Sequence, residues 1–237
     1  MQISSHTIFE PFRMLASGIV DLVYPPLCLN CGARLEPAEE QLCQACLDGF
    51  TLLDKQHEDF SVPGKIYIDA ALALFDYDDG FQNLIHHLKY SRRRKSIPVV
   101  LNHYKQQILD QLPNKSIDYV ISIPLHPIKL RERGYNQVDE ISVWLAEQLN
   151  TEIGGHLVQR LKYTQSQTKL DAAQRQQNVS SAFAVSPDSE LTGKHILLVD
   201  DVITTGATAN TVAQVLCEAG ASRIDLITMS TPTKGSS

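Results

Sequence analysis

The chain has 237 residues, 43% of them hydrophobic, and a formal net charge of −6. This length allows one substantial core with a small additional module. The acidic balance excludes a protein that covers nucleic acid with its whole surface, so any such site must be a local basic patch. No run approaches the roughly 20 apolar residues of a membrane span, and residues 1–23 lack the basic start and apolar stretch of a signal peptide. We therefore expect a cytosolic protein.

Two closely spaced cysteine pairs mark the first quarter of the chain. They follow residues 7–23, whose apolar side chains recur at roughly helical spacing and predict an amphipathic helix. The pairs are Cys28 with Cys31 and Cys43 with Cys46. Two CxxC pairs at this distance are typical of a four-thiolate zinc site, which has no open coordination position and is structural. A redox-active CxxC is the competing hypothesis, but such motifs usually come singly.

A basic run follows the first predicted helix of the remaining chain. Its members are Lys89, Tyr90, Arg92, Arg93, Arg94 and Lys95. This is the densest positive patch in the acidic chain and suits a nucleic-acid backbone, while Tyr90, or Tyr135 further on, can stack on exposed bases. An ordinary basic helix end explains the run about equally well, because cations also favour helix C-termini.

Predicted strands and helices alternate through the rest of the chain. Strands are expected at residues 66–77, 118–123, 156–162, 182–185, 195–200 and 223–229, and helices at 81–88, 99–112 and 136–150. A final helix after residue 208 carries Cys217, which we expect to be a buried small hydrophobe. The alternation predicts an α/β fold with a parallel sheet flanked by helices. We place this domain at residues 61–237, after an N-terminal helix and cysteine module at 1–60.

The segment 196–208, ILLVDDVITTGAT, carries the strongest functional signal. Four apolar residues predict a strand covered on both faces, so that Asp200 and Asp201 emerge at its carboxyl end, where such sheets bind ligands. The following loop offers hydroxyls and backbone N–H groups at a helix start, which suits a phosphate. It consists of Thr204, Thr205, Gly206, Ala207 and Thr208.

Two carboxylates beside a phosphate loop need a ligand that also has hydroxyls or a Mg²⁺ ion, as a ribose 5-phosphate does. The segment lacks the Gly-Lys-Ser/Thr ending of an NTPase loop and the GxGxxG of a dinucleotide site. It resembles the signature of type I phosphoribosyltransferases, which bind phosphoribosyl pyrophosphate (PRPP). The bland alternative is an ordinary turn between strand and helix.

The order of motifs resembles the ComF family of competence-associated proteins, which join a four-cysteine zinc finger to a phosphoribosyltransferase domain. The matching segments are PPLCxxC with a second CxxC, LKYSRRR at 88–94, IPLHPIKLRERGYNQ at 123–137, TQSQTKLDAAQRQQNV at 164–179 and the PRPP loop. The resemblance implies a type I phosphoribosyltransferase fold, structural zinc, Mg²⁺ bound with PRPP, and a role in natural transformation or DNA utilisation with a single-stranded DNA surface.

The resemblance also implies roles for two further segments. His126, Arg131 and Arg133 follow the strand at 118–123, where related transferases hold pyrophosphate. The polar run 163–181 occupies the position of the loop that closes over the ligand and excludes water. Its candidate contacts are Gln167, Arg175 and Asn178. A solvated basic face and an ordinary surface loop are the plain alternatives.

No residue outside this site marks an acceptor substrate, so three functions stay open. The favoured one is a ComF-type protein that binds PRPP and single-stranded DNA, with competence or DNA-processing proteins as partners. The second is a conventional transferase acting on a base or amine. The third is a PRPP sensor that works through a protein partner without turnover.

Overall fold

A computed structural model describes residues 25–53, 62, 64–90, 96–112, 116–161, 182–187 and 189–232. The predicted helix at 7–23, the basic residues Arg92 to Lys95, the side chain of Tyr90 and the polar run 163–181 lie outside this description. Within the described residues, no helix combines the length and apolar character needed to cross a bilayer.

Five parallel strands form the central sheet. The strands in chain order are β1 (Ala70–Asp76), β2 (Tyr119–Ser122), β3 (Glu152–Ile153), β4 (Val158–Arg160), β5 (Phe183–Val185), β6 (His195–Val202) and β7 (Arg223–Thr231). The sheet order is β1-β7-β6-β2-β3, while β4 and β5 pair antiparallel as a separate ribbon. Because β6 lies at the centre between β7 and β2, its carboxyl end is flanked on both sides by strand ends.

Helices cover both faces of the sheet. They are α1 (Gln44–Asp48), α2 (Asp79–Tyr90), α3 (Ser96–His103), α4 (Lys105–Gln111), α5 (Pro127–Arg133), α6 (Gln137–Leu149) and α7 (Ala207–Glu218). Successive residues of β6 pack on opposite faces of the sheet. Leu197 packs with α2, α3 and α6 on one face, and Leu198 packs with α7 on the other. This two-sided burial explains why the strand is a continuous apolar run.

Three local predictions need correction. The predicted helix at 99–112 is two helices, α3 and α4, separated at Tyr104, whose hydroxyl donates to the carbonyls of Leu47 and Phe50. Helix α5 forms where no helix was predicted, because Pro127 suits a first helical turn and His126 caps it. Cys217 is exposed and not buried, since it lies on the solvent side of α7.

The cysteine module packs directly onto the core of the α/β sheet. The ring of Phe50 lies edge-on to Phe75 of β1 at 6.4 Å and to Phe81 of α2 at 5.2 Å. Leu42 and Leu47 belong to the same buried cluster as these rings. The module and this side of the sheet therefore share one continuous hydrophobic core.

Candidate functional site

The loop after β6 lines a small open depression at the carboxyl edge of the sheet. The side chains of Thr204, Thr205 and Thr208 are exposed around it, whereas Ile203 is buried beneath. The Ile203 N–H donates to the carbonyl of Ser230 at 3.0 Å, which ties the start of the loop to β7. The hydroxyls predicted to hold a phosphate are thus brought together at the start of α7.

Gly206 gives this loop its shape. It caps α7 with φ +76°, a left-handed conformation that side-chain-bearing residues rarely adopt. Its carbonyl accepts the first-turn N–H of Asn210 at 2.8 Å, and the Asn210 side chain fixes the segment at Lys65 and Tyr67. The loop backbone is therefore anchored on two sides while its hydroxyls stay accessible.

The two carboxylates at the end of β6 have different surroundings. Asp200 Oδ1 accepts the N–H of Asp201 at 2.8 Å. Asp201 Oδ1 accepts the N–H of Val202 at 2.8 Å, and its Oδ2 accepts from Gln137 Nε2 at 2.7 Å and pairs with Lys89 Nζ at 2.8 Å. Asp201 is thus held by donors from three elements, whereas within the described residues Asp200 accepts only the N–H of Asp201.

These surroundings separate the pKa values of the pair. Burial, together with the neighbouring charge of Asp201, raises the pKa of Asp200 to about 8. Burial also opposes ionisation of Asp201, but Lys89 and Gln137 outweigh it and lower the pKa of that carboxyl. The pair therefore carries one negative charge near neutral pH, which reduces its repulsion of a phosphorylated ligand.

A second group of polar residues lies beside the pair. His126 is buried, and its Nδ1 accepts the N–H of Ile128 at 3.2 Å. Burial and the charges of Arg160, Arg131 and Lys129 lower the pKa of His126. Three cations therefore act on the position that was predicted to meet pyrophosphate.

Arg160 was not singled out from the sequence. It ends β4, its guanidinium lies 5.1 Å from the ring of Phe183, and its Nε is buried without a hydrogen-bond partner in the described residues. Burial lowers the pKa of Arg160, while the charge of Asp200 opposes this shift. A lone arginine in a short strand gives no sequence signal, because its position depends on the antiparallel ribbon that β4 forms with β5.

The cations of α5 occupy two different environments. Arg131 is exposed, and its Nε donates to the Pro127 carbonyl at 3.3 Å. Arg133 Nη1 lies 3.5 Å from Gln137 Oε1, and Gln137 in turn donates to Asp201. Gln137 is the second functional candidate that sequence reasoning missed, since a glutamine at a helix start carries no signal of its own.

The candidate DNA residues within the described region do not form one surface. Lys89 pairs with Asp201 and so belongs to the surroundings of the acidic pair. Tyr135 is buried, and its hydroxyl donates to the Leu88 carbonyl, which leaves its ring little surface on which a base can stack. Gln167, Arg175, Asn178 and the run from Arg92 to Lys95 lie outside the described residues and stay predictions.

The four cysteines form a separate candidate metal centre. All four Sγ atoms lie within 4.8 Å of one another, and the Cys31 and Cys43 sulfurs are 3.7 Å apart. A tetrahedral zinc ion with bonds of about 2.3 Å requires sulfurs about 3.8 Å apart, so the cluster fits this ion. The pairs predicted from spacing thus converge as a structural zinc site requires.

The local electrostatics also favour a cation in this cluster. Burial opposes ionisation of Cys28, yet backbone N–H groups of Cys31, Cys43 and Asn30 lower its pKa to about 7. Burial and the neighbouring sulfurs raise the pKa of Cys46. Four thiolates in so small a volume repel one another unless a bound metal neutralises them.

Two family models match the chain. A model described as phosphoribosyl transferase domain matches residues 139–236, which include the β6 loop and the acidic pair. A model described as double zinc ribbon domain matches residues 19–57, which include all four cysteines. Together with the parallel sheet, these matches identify a type I phosphoribosyltransferase fold with an N-terminal zinc ribbon.

Two curated relatives illustrate the sequence similarity. DNA utilization protein YhgH of Salmonella typhimurium is 30% identical over 162 residues, which cover 65% of this chain and 69% of the relative. Competence protein F of Haemophilus influenzae is 36% identical over 108 residues, which cover 45% of this chain and 47% of that protein.

Among solved structures, adenine phosphoribosyltransferase of Leishmania tarentolae superposes with a TM-score of 0.39 at 11% identity. The match covers 85% of this chain and 94% of that protein. The family model and the parallel strand order define the fold of this chain.

Proposed function

The chain belongs to the ComF family of competence and DNA-utilisation proteins, and on this basis we propose that it binds PRPP with Mg²⁺, and single-stranded DNA, in the cytosol during natural transformation or DNA utilisation. The observation that carries the PRPP proposal is the juxtaposition of an acidic pair and a hydroxyl-lined, glycine-capped loop at one sheet edge. The DNA proposal rests on the family and on the basic run.

The two ends of PRPP find complementary chemistry at this edge. The 5-phosphate meets the loop 204–208 at the start of α7, where N–H groups and the helix dipole favour an anion. Asp200 and Asp201 accept hydrogen bonds from the ribose hydroxyls. The pyrophosphate faces His126 and Arg160, and the guanidinium of the half-buried Arg160 offers it charge-assisted hydrogen bonds. Mg²⁺ reduces the charge of the pyrophosphate when it is bound with PRPP.

Binding of inorganic pyrophosphate and of ribose 5-phosphate, measured separately, tests whether the two ends of PRPP contact different residues. Arg160→Met should weaken binding of inorganic pyrophosphate by about tenfold, because a charge-assisted contact is lost, and leave ribose 5-phosphate binding unchanged. Arg34→Met, on the cysteine module, is the control. An equal loss for both ligands would mean that Arg160 supports the fold of the site and does not contact pyrophosphate.

The DNA part of the proposal places phosphate contacts on Arg92, Arg93 and Arg94. Binding of an oligothymidylate should weaken with salt, and replacing all three arginines with alanine should reduce the slope of log affinity against log salt by about 2. Fluorescence anisotropy at several salt concentrations measures this. Salt-insensitive binding, or a slope unchanged in the triple variant, would contradict the DNA surface.

Turnover is a further part of the proposal, and the chain most resembles a pentosyl transferase. Ribosyl transfer passes through a dissociative transition state, so binding and exclusion of water can suffice without a dedicated base. Release of pyrophosphate that depends on an added base or amine would establish transfer. PRPP binding without release of pyrophosphate, whichever acceptor is added, would favour a PRPP sensor.

A further inference from the structure

Lys89 lies on helix α2 and contacts the acidic pair, which is carried by a different element, the carboxyl end of β6. Its Nζ lies 2.8 Å from Asp201 Oδ2, and the two side chains are only 23% and 17% exposed. Gln137 donates to the same oxygen at 2.7 Å, while the Val202 N–H occupies Oδ1. Contacts this sheltered are screened less than surface ion pairs, so the contact with Lys89 has a measurable effect on Asp201.

The helix that carries Lys89 also bonds to the cysteine module, through a residue in its N-terminal half. Asn83 Nδ2 donates to the carbonyl of Asn30 at 2.6 Å and to its Oδ1 at 3.1 Å. Asn30 lies between Cys28 and Cys31, within the first metal-binding turn. The same helix thus contacts the metal centre through Asn83 and the acidic pair through Lys89.

Buried packing fixes the position of the helix between these two contacts. Phe81, Leu84 and Leu88 are buried in the cluster that also contains Cys28 and Leu42 of the module. Near the other end, the Tyr135 hydroxyl donates to the Leu88 carbonyl, one residue before Lys89. A change in the module therefore moves α2 as a unit, because a packed helix does not deform locally at low cost.

We propose that Lys89 is a positioning residue for Asp201 and that the zinc module holds it in place through α2, so that the module helps to set the affinity of the sugar-phosphate site. This rests on the proposed PRPP function. Lys89 orients the Asp201 carboxylate toward the ribose and balances its negative charge, which would otherwise repel the phosphates. A residue first assigned to nucleic acid thereby becomes part of the sugar site.

Calorimetric titration of PRPP with Mg²⁺ into single variants tests the first half of this proposal. Lys89→Met should weaken binding about tenfold, as expected for loss of a charged hydrogen bond, and Lys89→Arg should restore most of it. Lys105→Met, at an exposed lysine of α4, should bind as the wild type does. Unchanged affinity in Lys89→Met while the wild type binds would overturn the positioning role and leave the proposed function intact.

A double-mutant cycle tests the link to the module. Asn83→Ala should weaken PRPP binding about threefold in the wild-type background, as expected for one or two exposed hydrogen bonds, and have no further effect in the Lys89→Met background. Gln82→Ala, at the exposed neighbouring position of α2, is the matched control. Additive losses from Asn83→Ala and Lys89→Met would show that the module does not act through Lys89.

A readout without ligand keeps the proposal testable if the wild type fails to bind PRPP, which would contradict the proposed function. Denaturant unfolding of Lys89→Met, Asp201→Asn and the double variant gives the coupling between the two residues. We expect coupling equivalent to at least a fivefold change in the unfolding equilibrium constant, in the range found for contacting residues, and a smaller value after Asn83→Ala. Zero coupling would overturn the positioning role independently of any ligand.

Discussion

At the scale of single residues, the site depends on unequal treatment of two adjacent aspartates. Asp201 accepts from the Lys89 ammonium, the Gln137 amide and a backbone N–H, whereas Asp200 is half-buried beside the charge of its neighbour. The sequence predicted both carboxylates, because they follow an apolar strand and precede a threonine-glycine loop. It did not predict Lys89, Gln137 or Arg160 as their neighbours, since those contacts arise only when distant elements pack together.

Asp200→Asn should change how stability depends on pH. A carboxyl whose pKa is raised in the folded state stabilises the fold most strongly below its pKa in the unfolded chain, about 3.9. This stabilisation is lost as the pH rises through the folded-state pKa of about 8. The variant has no carboxyl at this position, so the Tm of the variant minus the Tm of the wild type should increase from pH 5 to pH 9. Asp79→Asn, at an exposed helix start, is the control in calorimetric scans. A Tm difference that is constant across this range would contradict the raised pKa.

At the scale of elements, most of the sheet could be predicted, but the short connections could not. The buried runs of β6 and β7 and the periodic helix α6 have strong local patterns. Helix α5 and the break between α3 and α4 depend on tertiary contacts, such as the Tyr104 hydroxyl bonded to the cysteine module. The two-residue strand β3 is exposed and carries no apolar alternation. Local sequence therefore predicts the scaffold better than the details of the site.

The backbone conformation of the loop between β6 and α7 depends on Gly206. Gly206→Ala should lower the free energy of unfolding by about 1–2 kcal/mol because φ is positive there, and should weaken phosphate binding by displacing the loop backbone. Denaturant unfolding and calorimetry with ribose 5-phosphate measure the two effects. Gly155→Ala is the matched control, since a Cβ there has open space apart from one contact at 4.0 Å. Equal stability of both variants would show that the conformation of Gly206 is not required.

At the scale of the whole molecule, the zinc ribbon is part of the main core. Phe50 packs against Phe75 and Phe81, and Tyr104 bonds to the carbonyls of Leu47 and Phe50. A boundary at residue 60 therefore separates two sequence motifs that share one hydrophobic cluster. Loss of the metal should therefore destabilise the sheet as well as the ribbon.

Metal removal should destabilise the molecule as a unit. We expect about one zinc ion per chain, and chelation should lower the temperature of a single unfolding transition, because binding free energy at a structural site is folding free energy. Metal analysis and scanning calorimetry measure these quantities, and re-addition of zinc should restore the transition. Two separate transitions, with that of the sheet unaffected by chelation, would show that the ribbon folds independently.

The central claim is that the carboxyl edge of β6 binds PRPP. Its most direct test is a calorimetric titration of PRPP with Mg²⁺ into the zinc-loaded protein, comparing the wild type with the Asp200→Asn, Asp201→Asn double variant. We expect binding at one site per chain in the wild type and its loss in a folded double variant. No binding by the folded wild type, or equal binding by both proteins, would contradict it.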